Sequence, residues 1–457
     1  MPLHLLHFMN RRRALISQSK KQSQNALLSG PVRPALLRFA GPIILSMVAT
    51  QLYTVADTMI VGLCLDANAL AAVSNASTVL MVFLFVSGGM ELGGGLLLAA
   101  RRPTAAPDEL SAAAYNLLFL DAALGLVMAG AGLAGAEWLL RLIRTPDAIL
   151  PQAAEYIRFY LAGLPFLMLY DLSKQLVMAC GNSKTPLYAV LATSVLNILL
   201  DLVWVTPFGV AGAAAATALS QAAGCLFMLW YLRRGLLTGP FRLSMLDRRC
   251  LWEVFRLSTP NAIQQASAPV GSMVKQGLLG GIGVAAIAGF SCAGKMSSLL
   301  LMPVYGFTQS LVFFIAQNTA AGQDARVREG ARQARGIMLV YALLVTAGCI
   351  LLARPMLRLF TADEAAIAYG ALLLGRQAVV YPFTAMKHFE EASLRGRQQM
   401  GLYLASNLGG TAADLLACLA LVPLCGYSGF YLASFVSAPA SFLLAAGLAR
   451  AGAKRSA

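Results

Sequence analysis

Charge is what this chain has least of. Only 12% of its 457 residues are Asp, Glu, Lys or Arg, against about a quarter in soluble domains, which excludes a water-solvated globular protein. Histidine is nearly absent, and His4, His7 and His388 fit no metal-ligand spacing. The eight cysteines include no CxxC and sit mostly in apolar runs, where they pack as small hydrophobes, so neither a disulfide framework nor a metal site is expected. No nucleophile–base pair and no phosphate-cradling glycine loop is legible, which argues against an enzyme and leaves no cofactor implied. No long apolar core precedes Leu36, so residues 1–34, with Arg11, Arg12, Arg13, Lys20, Lys21 and Arg33, read as a basic cytoplasmic tail rather than a cleaved signal.

What is present is apolar length. Hydrophobic residues make up 58% of the chain. Runs long enough to cross a bilayer, which takes about 20 residues, fall at 36–62, 69–100, 112–138, 152–180, 186–206, 210–232, 253–280, 284–317, 336–353, 366–394, 400–423 and 427–449. The expectation is an all-α membrane protein with twelve spans. The formal net charge of +15 does not point to nucleic acid, because the basic residues lie between apolar runs rather than along one soluble face. Arg101, Arg102, Lys184, Arg233, Arg234, Arg326, Arg328, Arg332, Arg335, Arg395 and Arg397 would share one side with both termini, whereas the other side has Arg141, Arg144, Arg158, Arg354 and Arg358. That bias places both termini in the cytoplasm of a plasma or inner membrane protein.

The longest connection, 233–252, divides the spans six and six. Pro42 aligns with Pro260 at an offset of 218, and ALAAVS (69–74) with AIAGFS (286–291) and GVAG (209–212) with GYSG (426–429) at 217. Two parallel repeats follow, an N-lobe at 35–232 and a C-lobe at 253–449, with 233–252 as linker and 450–457 as a second tail.

Polar residues inside the spans concentrate in the first repeat. Tyr53 and Asp57 lie four apart, as do Asn197 and Asp201, so each pair shares a helix face; Asp171 and Thr217 join them. An aspartate at the centre of a span costs roughly 2.5–3.5 kcal/mol on insertion scales, so these groups face inward. Crowded carboxylates away from water are candidates for proton uptake. The oxygens of Asp57, Asn197, Asp201 and Thr217 are equally suited to Na⁺.

Several runs together resemble the multidrug and toxic compound extrusion (MATE) transporters, in particular their DinF-like branch: LYTVADT (52–58), ALAAVS (69–74), CGNSKTP (180–186), NILLD (197–201), GVAGAAAATALSQ (209–221) and IAQNTAAGQDARVREG (315–330). The likeness covers about 35–445. It implies twelve helices in two six-helix lobes around a V-shaped cavity. It also implies export of cationic or amphipathic compounds against H⁺ or Na⁺, with a small molecule and the bilayer as partners of a monomer. Matching residue by residue, the family's first-helix aspartate and tyrosine fall on Asp57 and Tyr53. Its fifth-helix pair falls on Asn197 and Asp201, and its sixth-helix threonine on Thr217. Asp171 stands where the family often has asparagine.

The second half departs from that pattern. Lys275 occupies the position repeat-related to Asp57, and a seventh-helix acid is replaced by Ala268. An ammonium at that depth needs a partner, and Asp414 is the candidate by repeat position; the alternative is that Lys275 reaches the outer interface. Lys275, Asp414, Glu91, Gln51, Met302 and Tyr305 are the candidate cavity residues. A same-fold alternative function is export or flipping of a lipid-linked or anionic metabolite.

Overall fold

The computed structural model describes residues 27–456, all of whose regular structure is helical. The helices are α1 (Val32–Cys64), α2 (Ala67–Arg101), α3 (Pro107–Leu142), α4 (Leu150–Ala179), α5 (Lys184–Gly235), α6 (Arg248–Leu279), α7 (Val284–Ala320), α8 (Asp324–Leu357), α9 (Glu364–Gln377), α10 (Tyr381–Gly396), α11 (Met400–Cys425) and α12 (Ser428–Ser456). By length and composition, eight of these can each cross a membrane. Twelve crossings result among the described residues because α5 is two spans broken at Gly209, and α9 and α10 form one span interrupted by a 3₁₀ turn at 378–380. Most of the basic tail expected at 1–34 lies outside the described residues. The tail expected at 450–457 instead continues α12 through Ser456.

The breaks have local causes. Gly209 adopts φ 59°, ψ −141°, a region that is essentially closed to side chains. Three residues on, a Cβ on Gly212 would lie 2.2 Å from the Trp204 carbonyl oxygen, so the returning helix packs on the turn itself. The second repeat repeats the device. Gly426 has φ 59°, ψ −138°, and a Cβ on Gly429 would lie 2.6 Å from the Leu421 carbonyl oxygen. The GVAG and GYSG alignment is therefore a shared backbone turn. Between α9 and α10, Pro382 follows Tyr381 at the first turn of α10, where its missing N–H costs nothing.

The helices run past the apolar stretches that betray them. The third span reads as 112–138 but α3 covers Pro107–Leu142, and the ninth reads as 336–353 but α8 covers Asp324–Leu357. Charged turns remain helical outside hydrocarbon, and hydropathy does not register them.

The two lobes meet along the half of the bundle nearer the termini. There α2 and α6 cross with almost no separation: a Cβ on Gly89 would be 2.6 Å from the Ala262 Cβ, and one on Gly93 only 2.2 Å from the Ser258 Oγ. The glycines of SGGMELGGG permit this approach. At the end of the crossing, Arg101 pairs with Glu253 at 2.5 Å and reaches the Cys250 sulfur at 3.6 Å. Phe39 of α1 packs edge-on against Phe313 of α7, and a Cβ on Gly306 would meet Ile44. Farther from the termini, a separate apolar cluster gathers residues 61–80, 129–168 and 205–214 of the first lobe alone.

The segments that precede each repeat cross over. Residues 27–30 lie against the second lobe, where Arg326 donates to the carbonyls of Leu27, Ser29 and Gly30 and Asn318 donates to Leu27. The linker lies against α3 of the first lobe: Tyr115 donates to the Gly239 carbonyl at 2.7 Å and Asn116 to the Met245 carbonyl at 2.8 Å, while the Asp247 N–H donates to Asn116.

Candidate functional site

The first-lobe network forms where α1 meets the two arms of α5. The four-residue spacings place Tyr53 with Asp57 and Asn197 with Asp201 on inward faces. Asn197 and Asp201 are almost wholly buried, at 1% and 0% exposure. Because α5 reverses at Gly209, Thr217 returns beside Asn197, whose Nδ2 donates to the Thr217 Oγ1 at 3.4 Å. The carboxyls of Asp57 and Asp201 lie within hydrogen-bonding reach of each other.

Four oxygens in this network, Asp57 Oδ1, both of Asp201 and Asn197 Oδ1, are buried without a hydrogen-bond partner. Buried acceptors of this kind are normally satisfied, and lipid offers no donor. Two carboxyls can bond to each other only if one holds a proton. A small cation held between the two carboxyls would satisfy them as well. The donor set therefore fits a proton or Na⁺, with Tyr53 close enough to interact with Asp57, Asp171 and Lys174.

Asp171 belongs less to that pair than to the cavity beside it. Its Oδ1 lies 2.6 Å from the Lys174 Nζ, which also sits 4.4 Å from the centre of the Tyr170 ring. Lys174 was not anticipated, although an opposite charge three residues after Asp171 in an apolar span is the sequence signature of such a pair. Asp121 was missed as well; it is 1% exposed, one of its oxygens has no partner, and it lies close enough to Asp171 and Glu91 to interact with both.

Between the lobes lies a cavity of about 710 Å³. Gln51, Glu91, Asp171, Met302 and Tyr305 all line it. Lys275 and Asp414, also expected to line a cavity, are not part of this lining. Lys275 Nζ instead lies 2.5 Å from the Asp414 Oδ2, and Ser437 donates to the other oxygen at 3.0 Å. α6 and α11 face each other within the second lobe, and the pair spans that contact.

The second-lobe wall comes from α10, whose charges sequence reasoning did not place at the cavity. Glu391 is 3% exposed and accepts from Ser406 at 3.1 Å, with the Lys387 Nζ and His388 Nδ1 each 3.5 Å away. His388 also meets the Tyr305 ring edge-on at 5.1 Å. One turn on, Arg395 donates to Gln309, which donates to Gln175 of the first lobe at 3.2 Å. His388, Glu391 and Arg395 all line the cavity. The signal was the charge density of MKHFEEASLRG at the end of an otherwise apolar span.

Comparison with known proteins places this architecture. The MatE family model matches residues 42–203 and 260–415, one match in each repeat. Among curated proteins, the chain is 29% identical over 389 residues to the probable multidrug resistance protein YpnP of Bacillus subtilis (strain 168), covering 83% of this chain and 86% of that one. It is 24% identical over 352 residues to the FAD transporter of Shewanella oneidensis, covering 75% and 77%. Among solved structures, a mutant of the Vibrio cholerae MATE transporter VcmN superposes with a TM-score of 0.89 at 18% identity, over 95% of this chain and 99% of that one. The chain belongs to the MatE family, and is a multi-pass membrane transporter rather than an enzyme.

Proposed function

We propose that this chain is a secondary antiporter that exports organic compounds by alternating access, with both termini in the cytoplasm, in exchange for inward H⁺ or Na⁺. The observation that carries the reading is the Asp57/Asp201 pair, whose three unsatisfied buried oxygens lie with a fourth, that of Asn197, in the network near Tyr53. A proton or cation arriving there changes which groups can bond, and so biases how α1 packs against α5. Entry of one charge down 100 mV supplies about 2.3 kcal/mol, enough to shift a two-state equilibrium about fiftyfold. Asp171 and Lys174 line the cavity and lie close enough to Tyr53 to interact with it electrostatically.

Cationic or amphipathic compounds suit a cavity with Glu91 and Asp171 on one wall and Tyr305, Met302 and Tyr403 on the other. A second reading, export of an anionic metabolite, is favoured by Lys174 and Arg395 in the same lining and by likeness to an FAD transporter. The test is uptake of labelled ethidium and labelled FAD into everted vesicles, with pH and Na⁺ gradients imposed separately. Asp57→Asn is expected to insert normally and lose gradient-driven uptake; undiminished uptake removes the coupling role. The preferred compound decides between the two substrate readings.

A further inference from the structure

Away from the transport cavity, α8, α10 and α12 border an open recess of about 310 Å³ at the termini end of the second lobe. Three arginines, Arg335, Arg397 and Arg450, line it from three different segments, with Glu390, which lies close enough to interact with both Arg335 and Arg450, as the one carboxylate in its lining. Arg335 is held in place, pairing with Glu390 at 3.1 Å and lying 4.9 Å from the centre of the Phe389 ring. Arg397 and Arg450 form no ion pair among the described residues. The end of α12 that carries Arg450 is pinned: Gln399 donates to the Gly452 carbonyl at 2.8 Å, and a Cβ on Gly452 would lie 2.0 Å from the Gln399 Oε1.

Arginines near a membrane boundary ordinarily set topology and remain solvated. These three also keep contact with solvent, but the fold gathers them along one concavity. Its remaining walls include Met386, Phe389 and Phe442. The occupant must therefore be anionic at one end and apolar at the other. A phosphate offers guanidinium the paired oxygens that suit its fork, and a basic recess between helices at the cytoplasmic boundary suits an anionic lipid head.

We propose that this recess binds the phosphate of an anionic phospholipid in the leaflet on the termini side, with Arg397 and Arg450 as its principal contacts and Arg335 oriented by Glu390. The apolar walls favour a lipid over a free phosphate.

The experiment is native mass spectrometry of the delipidated full chain, titrated with dioleoylphosphatidylglycerol or dioleoylphosphatidylcholine. Retention of the phosphatidylglycerol is expected to exceed that of the phosphatidylcholine, and to fall about tenfold in Arg397→Gln/Arg450→Gln. Arg397→Lys/Arg450→Lys should keep most of it. Arg328→Gln/Arg332→Gln, which removes two exposed charges from α8 outside the recess, should leave retention unchanged. Equal retention of both lipids overturns the proposal, as does an equal loss in the α8 variant. Full displacement by millimolar inorganic phosphate would assign the recess to a soluble anion and overturn the lipid reading.

Discussion

Lys275 and Asp414 form an ion pair at 2.5 Å across the α6–α11 contact, with Ser437 holding the second carboxylate oxygen. Breaking such a pair from one side strands a charge, whereas replacing both partners with apolar groups does not. Lys275→Met is expected to cost up to about 3 kcal/mol and lower the thermal midpoint of the purified protein. Lys275→Met/Asp414→Leu should recover most of that loss. Equal midpoints for the single and double variants would show that the pair has no energetic coupling.

Gly93 and Ser258 mark the tightest point of the α2–α6 crossing. Gly93→Val cannot be accommodated without separating the lobes there. In an Arg101→Cys background, a short bismaleimide should join position 101 to Cys250, since Arg101 already reaches that sulfur. Adding Gly93→Val is expected to reduce the yield severalfold, read by peptide mass spectrometry, together with transport.

Gly209 and Gly426 occupy the same left-handed backbone region in different lobes. Alanine at either is expected to cost about 1–3 kcal/mol, and the two losses should be similar in a thermal melt. A large loss at one and none at the other would mean that the turns are not equivalent in energy.

Glu391 is surrounded by Lys387, His388 and Ser406. Glu391→Gln leaves Lys387 without its carboxylate and is expected to destabilise the protein by about 3 kcal/mol. Ser406→Ala, which removes one hydrogen bond to the same carboxylate, should cost about 1 kcal/mol. Reversal of that order in thermal melts would show that the cluster is held by Ser406 rather than by charge.

How much of this was legible in the sequence depends on the kind of information. Spans and repeat register follow from hydropathy and from spaced motifs such as GVAG and GYSG, because both are local and one-dimensional. Four-residue spacing put Tyr53 with Asp57 and Asn197 with Asp201 on shared faces. It could not say that the reversal at Gly209 returns Thr217 to Asn197, which depends on how the two arms of α5 fold together. Lys174, Asp121 and the charges of α10 were passed over for a different reason. Each sits in a run whose average is apolar or at its end, and an average conceals a single charge whose partner comes from elsewhere in the fold. Lys275 and Asp414 were paired by repeat position, but repeat position does not reveal which helix faces line the cavity.

The crossed segments at the termini end carry a mechanical consequence. The stretch before the first repeat is fastened to the second lobe through Arg326, and the stretch before the second repeat is fastened to the first lobe through Tyr115 and Asn116. Each half thus grips the other's lead-in, as two clasped hands do, and pulling the halves apart at that end would break both grips at once. Among the described residues, no such crossed lead-in fastens the opposite end, so the two grips concentrate the coupling of the halves at the end that carries the termini.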